Sequence, residues 1–154
     1  MSNRKGVDGE MKIKTTDVFD LKHILPLWLA MLKECNGDEN PEPDYWKKHM
    51  EKCLQFNEYR CYHAVVDGEA VGYIDGLMYY DPVTGTKVAM GQQWYVKPAY
   101  RGKIGMLLYL RLLKAGIKAG ATAVDLIAYP KMWGYWEKHK MEKTRLVYRK
   151  NIGS

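Results

Sequence analysis

The chain has little cysteine, no long hydrophobic run and, in its second half, almost no acid. Its three cysteines, Cys35, Cys53 and Cys61, are an odd number without C-x-x-C spacing. That argues against a disulfide scaffold and against a zinc site, and it suits a reducing cytoplasm. Buried thiols usually serve as inert packing, which weighs against a catalytic cysteine. No apolar stretch reaches the length of a membrane span, and no signal-peptide pattern opens the sequence. The expectation is a cytoplasmic protein without a membrane partner.

The shortage of acid is local. Residues 1–86 hold ten basic and fifteen acidic side chains, a net of −5, whereas residues 87–154 hold fourteen basic and three acidic, a net of +11. Between Lys97 and Lys118 stand six basic residues and no acid. A surface so biased attracts anions: a nucleotide cofactor, nucleic acid or an acidic partner. Lys114 and Lys118 suit the solvated face of a helix equally well.

The 154 residues suit one domain, expected over 11–154 behind a flexible polar tail at 1–10. Alternation predicts a strand at 11–15. Helical spacing of Val18, Leu21, Ile24, Leu25, Trp28, Leu29 and Leu32 predicts a helix at 18–35, capped by Asp17 and kinked or split at Pro26. A loop at 36–43 precedes a helix at 44–56. The period then shifts to two. Strands at 60–66, 69–80 and 87–96 form a meander, with Asp67-Gly68 as a two-residue hairpin turn. A helix at 102–119 ends at Gly120 and is apolar on several sides. A strand packed on both faces follows at 123–128, parallel to the strand at 87–96 through a βαβ crossover. A short helix near 130–138 and a strand near 143–150 close the chain. The fold class is α/β (α+β): a mixed sheet, first an antiparallel meander and then a parallel βαβ unit, with helices on both faces.

One passage carries chemistry. The strand ending Trp94-Tyr95-Val96 runs through Lys97-Pro98-Ala99-Tyr100 into Arg101-Gly102-Lys103-Ile104-Gly105-Met106, which opens a helix. The first N–H groups of a helix lack intrahelical partners and sit at the positive end of its dipole. A basic, glycine-bearing turn at that place is an anion site, and phosphate is the obvious guest.

With this order of elements, residues 92–118 resemble the GNAT N-acetyltransferase superfamily, and the likeness extends in element order over about residues 11–152. It implies acetyl-CoA, or another acyl-CoA, as donor, with the amides of 101–106 on the pyrophosphate. It also implies that backbone of Trp94, Tyr95 and Val96 runs along the pantetheine arm. The acyl group would pass by direct attack of an amine, needing proximity, a neutral amine, a polarised carbonyl and a proton for the leaving thiolate.

The sequence departs from the family's pattern in three places. The family's turn reads Gln/Arg-x-x-Gly-x-Gly/Ala, but here Ile104 and Met106 take the small-residue positions; with one residue deleted, Gly105 fits the end of the motif. Where many members have a tyrosine that protonates the departing sulfur, this chain has Trp136, which would lie against the cofactor. Indole is no general acid, so Tyr135 or Tyr129 becomes the candidate. Where a glutamate base often stands, this chain has Gln93, beside Gln92. An amide can orient an amine or a water, and Asp75 or His63 is the titratable alternative. The acceptor, a small molecule or a protein amine, would lie under residues 28–46. There the acidic Glu34, Asp38, Glu39, Glu42 and Asp44 favour a cationic group. Trp28, Tyr45, Trp46, Tyr79 and Tyr80 would line such a site or fill the core. Two other readings stand beside this one: a non-catalytic acyl-CoA-binding protein of the same fold, and a nucleic-acid-binding or -modifying protein using the basic half. A homodimer is compatible with either.

Overall fold

The computed structural model describes residues 10–36, 40–127, 138 and 141. Its strands are β1 (Met11–Thr15), β2 (Tyr59–Val66), β3 (Glu69–Tyr80), β4 (Lys87–Val96) and β5 (Ala123–Leu126). Its long helices are α1 (Leu21–Asn36), α2 (Pro43–Cys53) and α3 (Lys103–Lys118). The strands form one sheet in the order β1-β2-β3-β4-β5. All pairs are antiparallel except β4–β5, which is parallel. The expected meander and βαβ unit are both present. The expected helix near 130–138 and strand near 143–150 lie almost wholly outside the described residues.

Local chemistry accounts for the boundaries. Asp67 (φ 48°) and Gly68 (φ 81°) both take positive φ, as a two-residue hairpin turn of this hand requires. Asp17 accepts from the N–H groups of Phe19 and Asp20 while Asp20 returns a bond to its backbone, so a capping box opens the chain's first helical turn. That turn, Val18–Asp20, is a 3-10 helix, and α1 begins only at Leu21. Pro26 does not split α1. A proline costs the helix one N–H bond, and here its ring sits on the exposed side while Ile24 and Leu27, both buried, hold the segment to the sheet. At the far end of α3, the N–H of Gly120 (φ 88°) bonds to Ile117 and that of Ala121 to Gly116, the paired bonds of a Schellman cap.

The period-two alternation of the strands separates two cores. Tyr62, Ala64, Ile74, Met78, Ala89 and Val96 pack with Ile104, Leu108 and Leu112 of α3. On the other face Tyr59, Cys61, Tyr73 and Tyr95 pack with Leu21, Ile24, Leu27 and Met31 of α1 and Trp46 and Met50 of α2. The helix α3 sits close: a Cβ added at Gly76 would lie 2.6 Å from Leu112 Cδ1. Two expectations need correcting. The α3 helix is buried along one stripe, Ile104–Leu108–Leu112–Gly116, while Leu110 and Ile117 face solvent. The β5 strand is half-buried rather than packed on both faces, with Ala123 exposed.

Candidate active site

The β4 strand is irregular near its middle. Toward β5 the described pairing ends at Gly91, whose carbonyl accepts the Ile127 N–H at 3.0 Å. Beyond that point β4 runs on to Val96, paired to β3 through Val96↔Gly72. Toward β3 the register slips: Ile74 faces Trp94 and Gly76 faces Gly91, so Gln92 and Gln93 together oppose Asp75. This is a β-bulge.

Asp75 fastens the bulge. Its side chain is fully buried. Oδ1 accepts the backbone N–H of Gln93 at 2.7 Å and of Gln92 at 3.2 Å; Oδ2 accepts Gln93 Nε2 at 2.8 Å and the Tyr59 hydroxyl at 2.5 Å. Burial pushes the Asp75 carboxyl above the usual carboxylate range, against the pull of these donors. Burial likewise pushes the Tyr59 phenol up, with the Asp75 charge adding to it. Each donor would cost free energy if left alone in this interior, and one carboxylate satisfies them all.

The pinned carboxamide of Gln93 carries the network outward. With Nε2 committed to Asp75, Oε1 accepts from the Tyr73 hydroxyl at 2.7 Å and from Trp46 Nε1 at 3.1 Å. Trp46 in turn stacks on Trp28, ring centroids 5.3 Å apart. A continuous chain of contacts thus links the bulge to the aromatic pair between α1 and α2. Of the other aromatics considered for an acceptor site, Tyr45 and Tyr80 are exposed. His63 lies apart, where Nδ1 is 2.8 Å from Thr16 Oγ1 and Nε2 is 3.9 Å from Asp20. Burial lowers its pKa, with Asp20 opposing.

At the end of β4 the turn takes shape. A 3-10 turn, Pro98–Tyr100, leads to Gly102, which occupies the cap position of α3 with φ 98° and ψ −98° and supplies no side-chain cap. An L side chain is strongly disfavoured in that conformation. The first turn-closing bond comes only from Met106 N–H to the Gly102 carbonyl, 3.0 Å. The odd motif resolves here. Ile104 points into the core, 1% exposed. Gly105 faces β4, where a Cβ would make ordinary contacts with Val96 and Trp94 at 3.7 and 3.8 Å, so packing does not demand glycine there. Trp94 stacks on Tyr109 of α3, 5.7 Å between centroids.

The basic side chains divide. Lys103 is exposed. Lys97 pairs with Glu69. Arg101 turns toward the other face: Nε donates to the Val96 carbonyl at 2.9 Å and Nη2 to Glu34 Oε2 at 2.5 Å, with the guanidinium 5.6 Å from the Tyr95 ring centroid. Burial and the Glu34 charge raise the Tyr95 phenol. The family model described as the acetyltransferase (GNAT) family matches residues 25–141.

The chain belongs to the GNAT acetyltransferase family.

No curated protein matches this GNAT chain by sequence. Among solved structures, the aminoglycoside N-acetyltransferase AAC(6')-Iy in complex with CoA superposes with a TM-score of 0.75 at 20% identity, over 92% of this chain and 95% of that one. A predicted acetyltransferase from Clostridium acetobutylicum with acetyl-CoA gives 0.79 at 15% identity, over 92% and 96%. A ribosomal-protein-alanine N-acetyltransferase from Brucella melitensis biovar Abortus 2308 gives 0.71 at 20% identity, over 93% and 100%. At these identities the likeness is one of fold.

Of the residues singled out in the sequence, the fold brings Gln93 and Asp75 into contact and runs Trp94 through Met106 from the end of β4 through the turn into the start of α3. Tyr129, Tyr135 and Trp136, and the acids Asp38 and Glu39, lie outside the described residues. Tyr59 and Tyr73 were not singled out, and the link from Trp46 to Gln93 spans 47 positions, as no local pattern can show. Tyr73 and Asp75, two apart on one strand, do share a face, and that spacing is the one signal available. No helix among the described residues is long and apolar enough to cross a membrane.

Proposed function

We propose that this GNAT protein transfers an acetyl group from acetyl-CoA to a primary amine of a cationic acceptor. The observation that carries the reading is the uncapped start of α3 at Gly102, which follows the end of β4 at Val96 through one short turn. Amides of the Arg101–Met106 turn hold the pyrophosphate, assisted by Lys103. Backbone of Trp94, Tyr95 and Val96 meets the amides of the pantetheine arm as an added strand would. Trp136 is our candidate for a further cofactor contact.

The amine nitrogen attacks the thioester carbonyl carbon. The new C–N bond forms, the C–S bond breaks, the nitrogen sheds a proton and the CoA thiolate gains one. Gln93 orients the amine or an attendant water. Tyr135 is our candidate for the acid. Asp75 acts behind Gln93 as a positioning residue, since its own oxygens are buried and occupied. Acidic residues around α1 and α2 favour a cationic acceptor.

The saturation of Asp75 and Gln93 favours a second reading, a protein that binds acyl-CoA without turning it over. Calorimetry with acetyl-CoA, followed by thiol release with a panel of amines, separates the two. Tight binding and amine-dependent release support transfer, and binding with no release for any amine supports the second reading. The Lys103→Ala change weakens acetyl-CoA binding by about three- to tenfold on this account, as loss of one phosphate-facing cation should.

A further inference from the structure

Two residues of α2 clamp the Gln93 carboxamide. Trp46 and Met50 stand one helical turn apart, both are buried, and both reach it. Trp46 Nε1 donates to Oε1 at 3.1 Å, and Met50 Sδ stands 3.4 Å from Nε2. The clamp has one sense only. Every bond at the Asp75 carboxyl brings a donor to it, so it takes Nε2 and would repel Oε1. An indole N–H can only donate, so it takes Oε1 and would repel Nε2. Tyr73 fills the second acceptor position on Oε1. With its oxygen filled and its nitrogen held, the carboxamide acts on an acceptor through α2. Trp46 is 5% exposed, whereas the Trp28 ring stacked on it is half-buried, so Trp28 is the member of the pair that solvent reaches.

We infer that Trp46 is a positioning residue for the acceptor: its bond to Gln93 fixes the place of Trp28 relative to the β4 bulge, and the Trp28 ring meets a cationic part of the acceptor. The inference rests on the transfer reading and adds to it the residue that touches the acceptor and the one that sets its place. Apolar packing of α2 on the sheet is non-directional and tolerates small slides and rotations. An N–H···O bond has a preferred length and angle, so it picks one placement among them. The bulge supplies the fixed end, because Asp75 holds the Gln93 backbone N–H and Nε2 together at 2.7 and 2.8 Å. The aromatic pair supplies the other end, with ring centroids 5.3 Å apart and planes 20° from parallel. Among aromatic side chains tryptophan offers a cation the most favourable face, which suits an acceptor that carries positive charge.

Thiol release from acetyl-CoA with spermine, kanamycin and a lysine peptide tests the inference, beside calorimetry with acetyl-CoA. Trp46→Phe keeps a ring for Trp28 to stack on and removes the donor. With the amine that wild type turns over fastest, its kcat/KM for the amine falls about three- to tenfold, the scale of one hydrogen bond, while acetyl-CoA affinity is unchanged. Trp28→Leu raises KM for that amine by about three- to tenfold, again without change in acetyl-CoA affinity. In a Gln93→Met background Trp46→Phe causes no further fall, since Trp46 acts through Gln93. An unchanged kcat/KM for the amine in Trp46→Phe, an equal loss of acetyl-CoA affinity, or a full second loss in the Gln93→Met background overturns the role of Trp46. If Gln93→Met does not fold, the first two of these outcomes decide alone. An unchanged KM in Trp28→Leu overturns the contact at Trp28. A wild-type chain that releases no thiol with any of the three amines overturns instead the transfer reading on which the inference rests.

Discussion

Asp75 gathers four donors into a space that water does not reach, and its removal strands all of them. Asp75→Ala leaves two bulge N–H groups and the Tyr59 hydroxyl without their acceptor, at about 1–3 kcal/mol for each buried group. Urea unfolding should show a loss of at least about 3 kcal/mol, with a smaller loss in Asp75→Asn, which retains one acceptor oxygen. His63 makes a prediction in pH. Burial holds its folded value below the ordinary 6.5, so the unfolded chain takes up a proton first as pH falls. The stability His63 contributes is complete above that ordinary value and is lost as pH drops through the lower folded one. Asp75, raised, contributes with the opposite sign. Comparing wild type with His63→Gln by urea unfolding between about pH 8 and about pH 5 isolates the histidine, and the variant should lose less stability. Asp75 was conspicuous in the sequence as an acid within an apolar alternation. Its role was not, because its donors stand 16 to 18 positions away.

Turns and strand ends were legible where a residue type forces a conformation. Asp67-Gly68, the Asp17 cap and Gly120 all stand where their chemistry places them. The β3–β4 bulge was not legible, because it depends on the register of two strands and on one side chain between them. Pro26 leaves α1 unsplit for a related reason: tertiary anchoring of Ile24 and Leu27 outweighs one lost helical bond. Gly102 ties the turn to its ligand. A Cβ there would meet nothing within 4 Å, so the cost of Gly102→Ala lies wholly in the backbone, φ 98°. That cost is about 1–3 kcal/mol, the scale for a residue held in a sparsely populated backbone region. If the chain relaxes, the start of α3 shifts. Thermal unfolding should then show a modest loss, and calorimetry a larger loss of acetyl-CoA affinity than Lys103→Ala causes.

Over the whole molecule, charge and topology converge on the turn between β4 and α3. The half with a net of +11 contains the turn, and the half with a net of −5 supplies the helices over the other face. Composition revealed that division; the Glu34–Arg101 pair that joins the halves bridges 67 positions and needed the fold. Because the turn is exposed, acetyl-CoA affinity should fall as salt rises from about 0.1 M to about 1 M, where the screening length shrinks from about 10 Å to about 3 Å. The most direct measurement of the central claim is release of CoA thiol from acetyl-CoA by the purified protein with a panel of polyamines, aminoglycosides and lysine peptides. Amine-dependent release, with an acetylated amine as product, is the predicted result. Failure to bind acetyl-CoA, or binding without release or acetylation for any amine, would contradict it.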